Sequence, residues 1–290
     1  GARVLHARGA PVDSMDRSGF AEAVRVAREA DVVIMVLGEE QDMSAEARNR
    51  AWIDLPGVQR ELAEAVHAVG KPTVAVLMNG RPLAIPWLAD NVPAIVEAWY
   101  LGVQTGPALA DVLFGEAAPG GKLPVTFPRT VGQVPLYYNH KNTGRPSSVE
   151  ERYTSKYIDV EFTPLYPFGH GLSYTTFEHG APTASAATIA MGDSITFTAT
   201  VTNTGRRAGD EVVQLYLRDD VASVTRPVRM LRRFERVTLQ PGERRTVTFT
   251  LHPNDLAFYD LAMRRVVEPG TFTVWIGTSS ADDARPVRFT

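Results

Sequence analysis

The 290-residue sequence contains no cysteine. Disulfides, thiol nucleophiles and thiolate metal sites are thereby excluded, although the absence fits a reducing and an oxidising compartment equally. Long apolar runs are missing too: the longest, Val32 to Leu37, falls far short of the roughly 20 residues a membrane-spanning helix needs. Neither a transmembrane segment nor a signal peptide is expected, and no membrane partner. Charge of one sign does not accumulate, since 30 basic residues stand against 33 acidic ones for a net charge of -3. No basic block offers a phosphate-binding surface, so nucleic acid is not an expected partner. Neither G-x-G-x-x-G nor a P-loop occurs, which argues against nucleotide and phosphoryl-transfer chemistry. Without a G-x-S-x-G elbow or an H-E-x-x-H pair, a serine hydrolase and a zinc protease are equally unsupported.

What is present has ordinary globular composition, 44% apolar and 22% charged, and the length suggests two domains. The chain opens at Gly1-Ala2 without an initiator Met, and it reads as part of a longer protein. Arg3 to His6 is strand-like. Phe20, Val24 and Ala27 recur at helical spacing, and Val32 to Leu37 then reads as a buried strand ending at Gly38. A second helical pattern (Leu62, Ala65, Val66, Val69) begins at Pro56, and Gly70 and Pro72 separate it from the apolar strand Thr73 to Leu77. Ala94 to Trp99 is a third strand, followed by a helix from Gly106-Pro107 that stops at Gly115. Helices alternating with strands apolar on both faces predict an α/β domain with a mostly parallel sheet.

From Lys122 to Phe177 periodicity disappears while Pro, Gly and aromatic residues accumulate, a pattern of either functional or connective segments. Beyond Ser194 the period becomes two. Ile195, Phe197, Ala199 and Val201 alternate with Thr, and short strands follow at Val212–Leu217, Phe234–Leu239, Thr246–Leu251 and Phe272–Ile276. This predicts an all-β sandwich of the immunoglobulin or fibronectin kind. The domain expectation is therefore residues 1–176, whose irregular part 122–176 links the two, and residues 177–290.

In an open parallel sheet, ligands bind beyond the carboxyl ends of the strands. Three polar segments follow the strands: Gly38 to Arg50, Asn79-Gly80-Arg81-Pro82, and Tyr100 to Gln104. Glu39, the first side chain past a buried strand, is the best-placed acid for proton transfer. A general acid must be held rigidly and partly buried so that its pKa rises toward working pH. The alternatives are a solvated charge network and a cation site built from Glu39, Glu40, Asp42 and Glu46. Their spacing does not match a calcium loop, and no metal is expected. Trp52 within this loop is a candidate sugar platform, whereas His67 reads as structural.

Taken together, DVVIMVLGEEQDMSAEARNR, VAVLMNGRPLAI, AWYLGVQTGPALADVLFGEAAPGGKLPVTFPRTVGQVPLYYNHKNTGRP and LYPFGHGLSYTTF resemble glycoside hydrolase family 3, in particular its bacterial periplasmic β-glucosidases. VTNTGRRAGDEVVQLYLRD and EPGTFTVWIGTSS resemble the fibronectin III-like domain that closes such enzymes. The resemblance covers essentially the whole chain. It implies a (β/α)8 barrel domain elsewhere in the same enzyme, carrying a nucleophilic aspartate, and a general acid/base glutamate on the α/β domain. By resemblance that glutamate matches Glu39, with Glu46 the runner-up; Glu40 and Asp42 depart from the small residues expected beside it. Gln41, Glu46 and Arg50 are the expected substrate contacts. The implied reaction is retaining hydrolysis of terminal β-D-glucosyl residues from oligosaccharides or glucosides, without a cofactor, by a periplasmic or extracellular enzyme, and is compatible with a homodimer. This chain alone is expected to be inactive. The competing class is a non-catalytic carbohydrate- or protein-binding module.

Overall fold

The computed structural model describes residues 2–283 and 285–290. Its contacts divide the chain into two compact units, one formed by residues 1–109 and 127–135, the other by residues 110–126 and 136–290.

The first unit is a three-stranded parallel sheet with helices between the strands. Its elements run α1 (Phe20–Glu29), β1 (Val33–Gly38), α2 (Gln59–His67), β2 (Thr73–Met78), α3 (Pro86–Asn91) and β3 (Ala94–Glu97), in sheet order β1-β2-β3. Register pairs Val33 with Thr73 through Gly38 with Met78, and Val74 with Ala94 through Leu77 with Glu97. All three carboxyl ends therefore emerge at one edge. β2 is central, and Ala75, Val76 and Leu77 are completely buried against both neighbours. The expected burial of both faces fails at β1: Met35 and Leu37 are buried, but Val32, Ile34 and Val36 are exposed. Among the described residues only the face of this edge strand that carries Met35 and Leu37 is well covered. Arg3 to His6, expected as a strand, forms none and pairs with no strand among the described residues. His67 meets the Trp87 ring edge-on at 5.7 Å.

A helix, α4 (Thr105–Leu113), begins in the first unit and ends in the second. The second unit is a two-sheet sandwich. Its elements are β4 (Phe177–His179), β5 (Thr183–Ala184), β6 (Ile195–Asn203), β7 (Gly209–Asp219), β8 (Met230–Leu239), β9 (Arg244–Leu251), α5 (Pro253–Leu256), β10 (Phe258–Tyr259), β11 (Arg265–Val266), β12 (Phe272–Gly277) and β13 (Val287–Phe289). One sheet runs β13-β12-β7-β8; in the other, β6 pairs with β4, β5 and β9. Every second residue of β6 is buried, which is the period-two pattern of its sequence. Phe197, Leu215, Leu217, Leu239, Val247, Val274 and Phe289 from facing strands form one core. Within this unit the aromatic segment is packed rather than loose: Tyr138 stacks on Phe168 at 4.3 Å and meets Tyr216 edge-on.

Candidate active site

The carboxyl edge of the parallel sheet is built by close backbone approach. Gly38 ends β1 at a φ of 142°, and a Cβ there would lie 2.0 Å from the Met78 carbonyl oxygen. Only glycine fits. The Gly38 peptide is satisfied by one side chain of α2: Gln59 accepts from its N–H at 2.8 Å and donates to its carbonyl at 2.8 Å. Glu39 then continues the strand direction, its N–H donating to Met78 O at 2.9 Å.

Glu39 is fully removed from solvent at its side chain, and its carboxylate is shared by two guanidiniums. Arg50 donates from Nη1 to Oε1 at 2.6 Å, and Arg81 Nε lies 3.0 Å from Oε1 and 3.2 Å from Oε2. The Gly80 N–H adds a longer contact to Oε2 at 3.4 Å. A buried carboxylate is tolerated when paired and hydrogen-bonded in this way.

The loop after Glu39 is short-range in its own bonding. Residues Gln41–Met43 form one 3-10 turn, closed by Met43 N–H to Glu40 O and Ser44 N–H to Gln41 O. Gln41, Asp42 and Glu46 are exposed. Ala47, directly after Glu46, adopts the left-handed backbone at φ 59°, uncommon for a residue with a Cβ. Arg81 Nη2 donates to the carbonyls of both Met43 and Arg48, the latter at 3.1 Å. The Tyr100 hydroxyl donates to Glu40 O at 2.9 Å, and burial, with the Glu39 carboxylate nearby, raises its pKa so that it stays a donor. Arg50 is occupied as well, because its Nη2 donates to Asp54 O at 3.0 Å.

Among the residues singled out from sequence, the structure brings Glu39 and Arg50 into contact and leaves Gln41 and Glu46 on the exposed loop. The cation-site alternative finds no group of three or more metal-ligating side chains among the described residues. Trp52 is 71% exposed on the same loop. Sequence reasoning placed the segments of Arg81 and Tyr100 at this edge but gave those residues no role. Glu97 at the end of β3 was missed altogether. Burial pushes its pKa up to about 7, offset in part by the Trp99 N–H at 3.1 Å and the Asn79 amide at 3.4 Å. Trp99 itself has a φ of 54°, and the Asn79 side-chain oxygen is buried without a partner.

With this geometry in hand, comparison with known proteins is informative. Residues 5–174 match the model of the glycosyl hydrolase family 3 C-terminal domain, and residues 211–280 that of a fibronectin type III-like domain. A β-xylosidase of Formosa agariphila is 47% identical over 99% of this chain, which spans 39% of that protein. The periplasmic β-glucosidase of Salmonella typhimurium is 51% identical over 90% of the chain, which covers 34% of it. The crystal structure of a β-glucosidase from Listeria innocua in complex with gluconolactone superposes over 97% of this chain and 39% of its own, with a TM-score of 0.92 and 40% identity. The chain thus spans less than two-fifths of the length of these relatives. It belongs to glycosyl hydrolase family 3, of which it carries the C-terminal domain and the fibronectin type III-like domain that follows.

Proposed function

We propose that this chain supplies the acid/base half of a retaining β-glucosidase, with Glu46 rather than Glu39 as the proton donor. The nucleophilic aspartate lies on the barrel domain of the same enzyme, which acts on terminal β-D-glucosyl residues in the periplasm or outside the cell. The observation that carries the reading is the contrast between the two carboxyls. Glu39 is removed from solvent, and both oxygens of its carboxylate are already engaged by Arg50, Arg81 and the Gly80 N–H. Glu46 is exposed to an incoming substrate on the same carboxyl-edge loop, between two carbonyls bonded by Arg81, and a bound sugar would supply the burial that a general acid needs.

In the reaction, the aspartate attacks the anomeric carbon while Glu46 delivers its proton to the departing oxygen, and a covalent glycosyl-enzyme forms. The Glu46 carboxylate then takes a proton from water as that water displaces the aspartate, so configuration is retained. The two carboxyls must stand about 5 to 5.5 Å apart. This chain holds one of the pair, so by itself it does not turn over.

In the enzyme carrying the barrel and this chain, Glu46→Gln is expected to lower kcat/KM on an unactivated disaccharide by about 10² to 10⁴. The loss on dinitrophenyl β-glucoside, whose leaving group needs no proton, is expected to be far smaller. An equal loss on both substrates, or none on the disaccharide, overturns the assignment.

A further inference from the structure

We propose that Arg81 is a positioning residue that holds the arch carrying Glu46, a role that rests on the reading of Glu46 as proton donor. One side chain bonds three partners across the site. Its Nε faces the Glu39 carboxylate at 3.0 to 3.2 Å, while its Nη2 donates to Met43 O and, at 3.1 Å, to Arg48 O. Met43 and Arg48 are the two feet of the arch, and Glu46 stands between them. One nitrogen carrying two hydrogens serves both carbonyls, which closes the stretch without any bond from Glu46 itself. Glu39 completes the device: buried against Arg81 and Arg50, it fixes the guanidinium plane from below.

Two features show that the arch is set by its surroundings. Ala47 stays in the left-handed region, a conformation that surrounding contacts must hold in place. From the other side, a Cβ on Gly80 would come within 2.2 Å of the Ser44 hydroxyl oxygen and 2.8 Å of the Tyr100 ring. The β2 turn that presents Arg81 is therefore seated directly against the arch. Arg81 holds it by hydrogen bonds and Gly80 by contact.

The guanidinium fork matters separately from its charge. Lysine retains a cation, but its single nitrogen cannot face the Glu39 carboxylate and reach the Met43 and Arg48 carbonyls at once, as the separate Nε and Nη2 of arginine do. In the enzyme carrying the barrel and this chain, Arg81→Lys is expected to lower kcat/KM on an unactivated disaccharide by about 10- to 100-fold, the scale of an ångström-sized misplacement. On dinitrophenyl β-glucoside the change is expected to be smaller than about threefold, because glycosylation there needs no proton. Azide, which requires no general base, is expected to raise kcat of the variant on the dinitrophenyl substrate. Gly80→Ala displaces the same arch without touching a charge and is expected to give the same split between substrates. Should Arg81→Lys fail to fold by circular dichroism, Gly80→Ala carries the test.

Glu46→Gln is measured alongside. If it shows the substrate split and neither Arg81→Lys nor Gly80→Ala does, the positioning role is overturned while the proton-donor reading stands. If Glu46→Gln shows no split, that reading fails and the positioning role falls with it. Equal losses on both substrates in the Arg81 and Gly80 variants would mark a purely structural role.

Discussion

At the scale of single residues, Glu39 and Glu46 show how little an acid's position in the sequence says about its surroundings. Both lie in one charged loop after one strand, and sequence alone favours the first. What separates them is contributed by Arg50, 11 positions away, and Arg81, 42 positions away, which converge on Glu39 only after the sheet has formed. A pairing of that sequence distance leaves no local pattern to read. Glu39 is therefore expected to dominate stability at this edge. Glu39→Ala leaves two partly buried guanidiniums without their anion, and breaking such a pair costs on the order of 3 kcal/mol. Glu46→Ala, on the exposed arch, is expected to change stability by less than about 0.5 kcal/mol. Urea titration of both variants checks this, and similar midpoints for the two would contradict the anchoring role.

The elements were legible in the sequence wherever burial was regular. β2 and α2 follow from a continuous apolar run and a 3.6-residue stripe, and β6 from strict alternation. The elements that escaped are those with no room for a period. α3 is six residues long with Pro86 at its first turn, and β5, β10 and β11 have two residues each, so pairing rather than pattern defines them. Arg3 to His6 has the composition of a strand and no partner strand among the described residues, the same lesson in reverse. Because β6 is bounded by the sandwich core on one face, its two faces are expected to respond very differently to truncation. Phe197 is fully buried and meets Phe289 at 5.7 Å, so Phe197→Ala is expected to destabilise the fold by about 3 to 5 kcal/mol. Thr198 points to the other face, where its hydroxyl lies 2.8 Å from that of Thr183, and Thr198→Ala is expected to cost about 1 kcal/mol. Thermal unfolding of the pair distinguishes them; comparable losses would mean that the period-two reading of β6 does not describe its energetics.

At the scale of the whole molecule, the carboxyls divide into two sets that pull stability in opposite directions with pH. Asp210 is held below the usual range, chiefly by the Thr238 hydroxyl at 2.6 Å, and Glu61 by its hydrogen bonds from Arg17. Such groups stabilise the fold above their unfolded values near 4, and that contribution is lost as pH falls through their depressed native values. Glu97 and Asp219 behave in the reverse sense. Burial raises Glu97 from 4.5 to about 7 and Asp219 from 3.8 to about 6, with Arg226 only partly offsetting the latter. Their protonated forms fit the fold, so the native state binds more protons than the unfolded chain across that window, and stability falls as pH rises through it. For Glu97 the shift corresponds to at most about 3 kcal/mol lost between pH 4.5 and 7. One such acid sits in each compact unit, so both units lose stability over overlapping ranges. The urea midpoint is therefore expected to peak near about pH 4 to 5 rather than at neutrality. Glu97→Gln combined with Asp219→Asn, which keep the shape and remove the ionisation, should flatten the alkaline limb and leave the acid limb in place. A parent midpoint that is constant or rising from pH 5 to 8, or a double variant with an unchanged alkaline limb, would show that these two acids are not held protonated as their burial implies.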